Sequence, residues 1–269
     1  MGLADDAQRD GRQILRIDAL NKSFGGLQAV LDFSLSLEKG GLKGLIGPNG
    51  AGKTTVFHLI TGFHKPDSGK VTFKGIDITG QSPDRVTKLG ISRTFQKIRM
   101  LENIKVIDAM KTAFYLRKPY NVLDVLLQTP KYSREERQLE EKSLELLDFF
   151  DIAHMANEMG NDLAYGLQRR VSIARALALS PELLLLDEPT AGLNPAETDE
   201  IVEILVKIKR QFELSIILVE HDMRVIMGKG ICDSIIVMNQ GAVITEGTCE
   251  EIQEDERVIE AYLGAGVTS

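Results

Sequence analysis

Leu31, Phe33, Leu35 and Leu37 alternate with Asp32, Ser34 and Ser36. This period of two marks a half-buried strand that ends at the turn Lys39, Gly40, Gly41, so an antiparallel β-region is expected to open the chain. The apolar run 42–46 leads straight into a glycine-rich segment and then into KTTVFHLITG, where Gly62 is a plausible helix stop. That order is strand, loop, helix. From about 106 to 158 the texture changes to long charged stretches, in which Leu139, Leu146, Leu147 and Phe150 recur at helical spacing. A helical lobe inserted between two halves of an α/β core is predicted. The runs 183–186 and 216–219, separated by the helical segment 201–212, are continuously apolar and suit parallel strands covered on both faces. Residues 234–238, the turn Asn239, Gln240, Gly241, and residues 242–245 read as a terminal hairpin.

Composition narrows what this architecture can serve. The 269 residues, 43% hydrophobic and 26% charged, can bury a sizeable core. The apolar runs are far shorter than the roughly 18–20 residues that span a bilayer, and MGLADDAQRD carries no apolar signal region. The expected location is cytoplasmic, at the membrane only through a partner. With 32 basic against 39 acidic residues the net charge is -7, which offers no footprint for nucleic acid. Cys232 and Cys249 have no metal-ligand companions nearby and are expected to be free thiols without a function.

The segment Gly47, Pro48, Asn49, Gly50, Ala51, Gly52, Lys53, Thr54 satisfies G-x-x-x-x-G-K-[ST] and sits between a predicted strand and a predicted helix. Glycines let the backbone turn its N–H groups toward phosphates at the positive end of the helix dipole. In that setting Lys53 clamps the β and γ phosphates, Thr54 coordinates Mg²⁺ and Thr55 adds a phosphate contact. ATP and Mg²⁺ are the expected ligands. Asp187 and Glu188 end the apolar run 183–186, at the carboxyl end of a buried strand where doubly wound sheets bind ligands. Asp187 suits the Mg²⁺ shell, and Glu188 suits the base that activates the attacking water. Pro189 and Thr190 would also fit an ordinary acidic turn. His221 follows the run 216–219 and can reach the γ-phosphate region, though a histidine there, taken alone, is more often structural.

The ordered set GPNGAGKTT, Gln96 in RTFQ, LAYGLQRRVSIARAL, LLLLDEPTAGLNP and VEHD resembles the ABC transporter ATPase family over almost the whole chain. The resemblance implies an α/β fold with a P-loop NTPase core, a mostly parallel sheet, an N-terminal antiparallel β subdomain and an inserted α-helical subdomain. It implies one cassette over 12–265, with 12–105 and 180–265 as core and about 106–179 as helical signature subdomain. It further implies that Phe24 stacks on adenine, Gln96 senses γ-phosphate and Mg²⁺, residues 191–194 communicate across a dimer and His221 is the γ-phosphate switch. The family signature is usually Leu-Ser-Gly-Gly-Gln; here Leu163, Ala164, Tyr165, Gly166 and Leu167 align with it and Gln168 follows, without the serine hydroxyl, one glycine and the glutamine side chain. N–H groups near Gly166 can still face a phosphate. The LAYG form, AGLNP, VEHDMRVIMG and DERVIEAYLG resemble the LivG-type ATPases of branched-chain amino acid importers. Lys229 and Gly230 look like a small insertion against that subgroup's spacing.

The partners this implies are membrane permease subunits, a second ATPase in a heterodimer or a second copy in a homodimer, and indirectly an extracytoplasmic solute-binding protein. Two alternatives stay open: the ATPase of a lipid or lipopolysaccharide exporter, and a soluble ABC ATPase acting on ribosomes or DNA. The second conflicts with a single cassette of net negative charge. A P-loop kinase or GTPase would leave Gln96, the signature and His221 without a role.

Overall fold

A computed structural model describes residues 12–94, 103–115, 127, 129–221, 223–227 and 231–265. The protein divides into two units: residues 1–93, 182–188 and 205–269 form the first, and residues 94–181 and 189–204 the second.

The first unit holds two sheets. Strands β1 (Gln13–Phe24), β2 (Leu27–Glu38), β4 (Ser68–Phe73) and β5 (Ile76–Asp77) form an antiparallel sheet in the order β2-β1-β4-β5. The period-two reading of β2 would carry Leu31 inward together with Phe33, Leu35 and Leu37. Instead Leu31 is 44% exposed and Val30 is fully buried. The cause is a bulge: Asp32 takes a left-handed φ of 47°, and Leu20 and Lys22 of β1 pair with Phe33 and Val30, so β2 carries one extra residue. One added residue moves everything beyond it to the other face.

The second sheet has β3 (Leu42–Ile46), β6 (Ile91–Arg93), β7 (Leu183–Asp187), β8 (Ser215–Val219), β9 (Ser234–Asn239) and β10 (Ala242–Gly247), in the order β10-β9-β3-β8-β7-β6. All neighbours are parallel except β10 with β9. Strands β3, β7 and β8 are buried at every position, as strands covered on both faces must be. Helices α1 (Lys53–Ile60) and α2 (Pro83–Leu89) follow in this unit. The hairpin β9–β10 closes through Gln240 and Gly241 with φ of 47° and 86°, the left-handed pair a two-residue turn needs.

The second unit is helical: α3 (Val106–Tyr115), α4 (Pro130–Phe149) and α5 (Tyr165–Ala178). Leu147 and Phe150 are fully buried, while Leu139 and Leu146 are half-buried beside them on the same helical face. Helix α6 (Pro195–Phe212) begins in this unit and is followed by α7 (Met223–Met227), α8 (Cys249–Glu254) and α9 (Glu256–Ala265) in the first. Cys232 and Cys249 are free thiols, and burial pushes the Cys232 thiol up to about 12. Among the described residues no helix is long and apolar enough to cross a membrane.

Candidate functional site

Strand β3 delivers the backbone into residues 47–52, and α1 starts at Lys53. The loop turns on glycines that nothing larger could replace. A Cβ on Gly47, at φ 149°, would lie 2.1 Å from the Met238 carbonyl oxygen, and one on Gly52, at φ 103°, would lie 2.4 Å from the Ala29 carbonyl oxygen. Gly52 caps α1 with no side-chain hydrogen bond, so the first-turn N–H groups and the positive end of the helix are turned toward the loop. Lys53 is 5% exposed; its Nζ donates to the carbonyl oxygens of Gly47 at 2.6 Å and Pro48 at 3.0 Å. Burial lowers its pKa, and the carboxylates of Glu188 and Asp187 oppose that shift. Thr54 is exposed, Thr55 half-buried, and Asn49 and Gly50 are exposed at the loop tip.

Asp187 closes β7 and is 3% exposed. Arg93, at the end of β6, donates from Nη2 to Asp187 Oδ2 at 2.6 Å. Glu188 follows in a left-handed conformation, φ 47°, held by its N–H donating to the Val219 carbonyl at 2.9 Å. Such a backbone costs about 1 kcal/mol or more in a residue with a Cβ. Asp187 pairs with Val219, the last residue of β8, so His221, exposed, lies two residues beyond the end of that neighbouring strand. Phe24 ends β1, 42% exposed, edge-on to His64 at 5.1 Å with Lys22 Nζ 5.4 Å from its centroid. Gln96 lies outside the described residues, as do Lys229 and Gly230.

The second unit holds the other predicted cluster. Ala164 caps α5 with no side-chain hydrogen bond, and Gln168 donates from Nε2 to the Leu163 carbonyl at 2.8 Å. Arg169, 2% exposed, donates to the Tyr165 hydroxyl at 2.7 Å and lies over that ring. A Cβ on Gly166 would stand 2.9 Å from Glu197 Oε1, and one on Gly192 3.2 Å from the Tyr165 ring. Asn194 and Glu197 form reciprocal hydrogen bonds at 3.0 Å that cap α6, fixing the segment 191–194 beside Tyr165. Leu163 is buried, and Leu167 is half-buried.

The P-loop cluster fits a polyphosphate: a glycine-bounded backbone cradle, an uncapped helix start and a buried ammonium. Among the described residues no group of three or more His, Cys, Asp or Glu side chains could hold a metal. Sequence reasoning missed Arg93 and Arg169. Each lies inside a motif that carries the resemblance, RTFQ or LAYGLQRRVSIARAL, but only the neighbouring strand or helical turn supplies its partner.

Residues 30–191, more than half of the chain, match the family model described as ABC transporter. The chain belongs to the ABC transporter ATP-binding family. Residues 242–268 of this ABC ATPase also match a second model, the branched-chain amino acid ATP-binding cassette transporter. The high-affinity branched-chain amino acid transport ATP-binding protein BraF of Pseudomonas aeruginosa is 40% identical over 94% of the chain and 98% of its own length. LivG of Salmonella typhimurium, described in the same terms, is 40% identical over 93% of the chain and 98% of its own. The ADP conformation of MJ1267, an ATP-binding cassette of an ABC transporter, superposes with a TM-score of 0.81 at 31% identity, covering 94% of this chain and 99% of that one.

Proposed function

We propose that this ABC ATPase binds and hydrolyses MgATP to energise import of branched-chain amino acids through separate membrane permease subunits. The observation that carries the chemistry is the buried Lys53 ammonium, held on the carbonyl oxygens of Gly47 and Pro48 and favoured by the negative charges of Glu188 and Asp187. The cargo class rests on the 40% identity to BraF and LivG over nearly full lengths. Bound MgATP supplies a phosphoanhydride whose γ-phosphoryl is transferred to water. Residues 47–52 and the α1 N-terminus receive the phosphates, Lys53 binds the β and γ oxygens, and Thr55 adds a donor. Thr54, Asp187 and Gln96 would hold Mg²⁺, Glu188 orients and deprotonates the attacking water, and His221 contacts the γ-phosphate. Phe24, 42% exposed, would stack on adenine.

The working unit is proposed as a head-to-tail ATPase pair beneath the permease, each nucleotide lying between one subunit's P-loop and the other's signature segment. Ala164 supplies no hydroxyl there, so a partner with an intact serine-glycine signature would complete this subunit's own site better than it is served in return. Loss of such donors reduces turnover on the order of a hundredfold. In the reconstituted complex, Glu188→Gln is expected to retain ATP and slow hydrolysis by roughly 10²–10⁴. The matching change in the partner should leave measurable transport. Parental hydrolysis by Glu188→Gln would move the base elsewhere, and equal severity of the two changes would remove the asymmetry.

A further inference from the structure

The first turn of α5 and the segment 191–194 interlock within the second unit. Tyr165 stands where the family signature usually has its first glycine, and its ring lies against Gly192: a Cβ there, at φ 80°, would be 3.2 Å from Tyr165 Cε1. One residue on, the fit is reversed. Gly166 faces Glu197, and a Cβ on Gly166 would stand 2.9 Å from Oε1. Two consecutive positions of α5 thus set a large side chain on a glycine, once from each side. The Tyr165 ring is itself held. Arg169, one helical turn on and almost wholly buried, donates from Nη2 to the phenol oxygen at 2.7 Å, with its guanidinium carbon 5.1 Å from the ring centroid. Among the described residues the Arg169 Nε has no hydrogen-bond partner, so removing the phenol oxygen would leave a buried cation with one bond fewer still. On its other side, Gly192 belongs to a tight turn in which Leu193 donates its N–H to the Thr190 carbonyl at 3.1 Å. Thr190 is buried, and only Pro189, Thr190 and Ala191 stand between Gly192 and Glu188 along the chain.

We propose that Tyr165 is a positioning residue for Glu188: its ring, held by Arg169, sets Gly192, and the short turn 189–192 carries that placement to the carboxylate proposed to activate water. The link to Glu188 is covalent and brief, so a shift in the footing of the ring has little chain over which to dissipate, and a base displaced by a fraction of an ångström loses rate. Glycine at position 165, the usual signature residue, has no side chain with which to make this contact. Tyrosine therefore makes turnover at this subunit's own P-loop depend on where the α5 start sits. That start is the part proposed to meet the partner's nucleotide, so the occupancy of one site is felt at the base of the other. The inference rests on reading Glu188 as the base.

The test uses the reconstituted complex whose partner ATPase carries the glutamine change matching Glu188→Gln, so that turnover at this subunit's own P-loop is read. Tyr165→Ala is expected to lower kcat roughly tenfold, with KM for ATP within about twofold of the parent's, the pattern of a misplaced catalytic group. Tyr165→Phe, which keeps the ring on Gly192 and loses the bond from Arg169, should lose about threefold. The decisive measurement is the double variant Tyr165→Ala with Glu188→Gln. If Tyr165 acts through Glu188, the double variant is no slower than Glu188→Gln alone. A parental kcat in Tyr165→Ala would overturn the proposal, as would two losses that multiply in the double variant. A loss of MgADP affinity in the isolated Tyr165→Ala subunit equal to its loss of kcat, measured by calorimetry, would overturn it as well, since that marks general damage. If Glu188→Gln itself turns over at the parental rate, the reading of the base fails first, and the two failures are distinguishable.

Discussion

Helices α1 and α5 both start without a side-chain cap, at Gly52 and Ala164, yet what surrounds the two ends is opposite. At α1 a buried ammonium, Lys53, stands among loop carbonyls. At α5 the nearby charge is a carboxylate, Glu197, 2.9 Å from where a Gly166 Cβ would sit, while the buried cation Arg169 is engaged with Tyr165. An open helix start is a common feature; the groups around it decide whether it takes a polyanion. The α1 end brings together the groups that the proposed phosphate site needs. The α5 end has backbone donors beside an acid, and depends on another source of positive charge.

That contrast can be broken at either end. The largest effect is expected from Lys53→Ala, which removes charge-assisted hydrogen bonds and should weaken MgADP binding roughly a hundredfold. Calorimetry giving an affinity within a factor of three of the parent's would make the two ends alike. Next in size, Ala164→Ser restores a hydroxyl to the α5 cap and should stabilise that helix by about 0.5–2 kcal/mol. Thermal unfolding should then move up by roughly 1–8 °C; no change would mean the cap's N–H groups already have partners. The smallest effect concerns Glu197→Gln, which preserves the α6 capping pattern and removes the acid's charge from the α5 start. ATP turnover in the reconstituted complex should rise about two- to fivefold, the range of a single charge at a helix end, and a fall would show that the carboxylate itself is needed.

What could be read without coordinates was what is local. The P-loop lies within eight consecutive residues between a strand and a helix, and the β9–β10 hairpin announces itself by a turn with Gly241 between apolar runs. The acids at 187 and 188 follow directly from the end of a buried strand. Other features depend on pairing. The Asp32 bulge, which turns Leu31 outward, arises from an irregular register with β1, and aspartate's tolerance of the left-handed region was its single local hint. Arg93 meets Asp187 because β6 and β7 are neighbours, though 94 residues separate the two side chains. Tyr165 reads as a departure from the signature until Gly192 is folded against its ring.

Glu188 carries a consequence of a different kind. Its φ of 47° is a conformation glycine adopts freely and a glutamate resists. Replacement by glycine would relax the backbone while deleting the carboxylate on which turnover is proposed to depend. Selection for heat resistance alone would thus favour losing this side chain, and a breeding scheme for hardier versions of this ATPase would need to screen for turnover at every round.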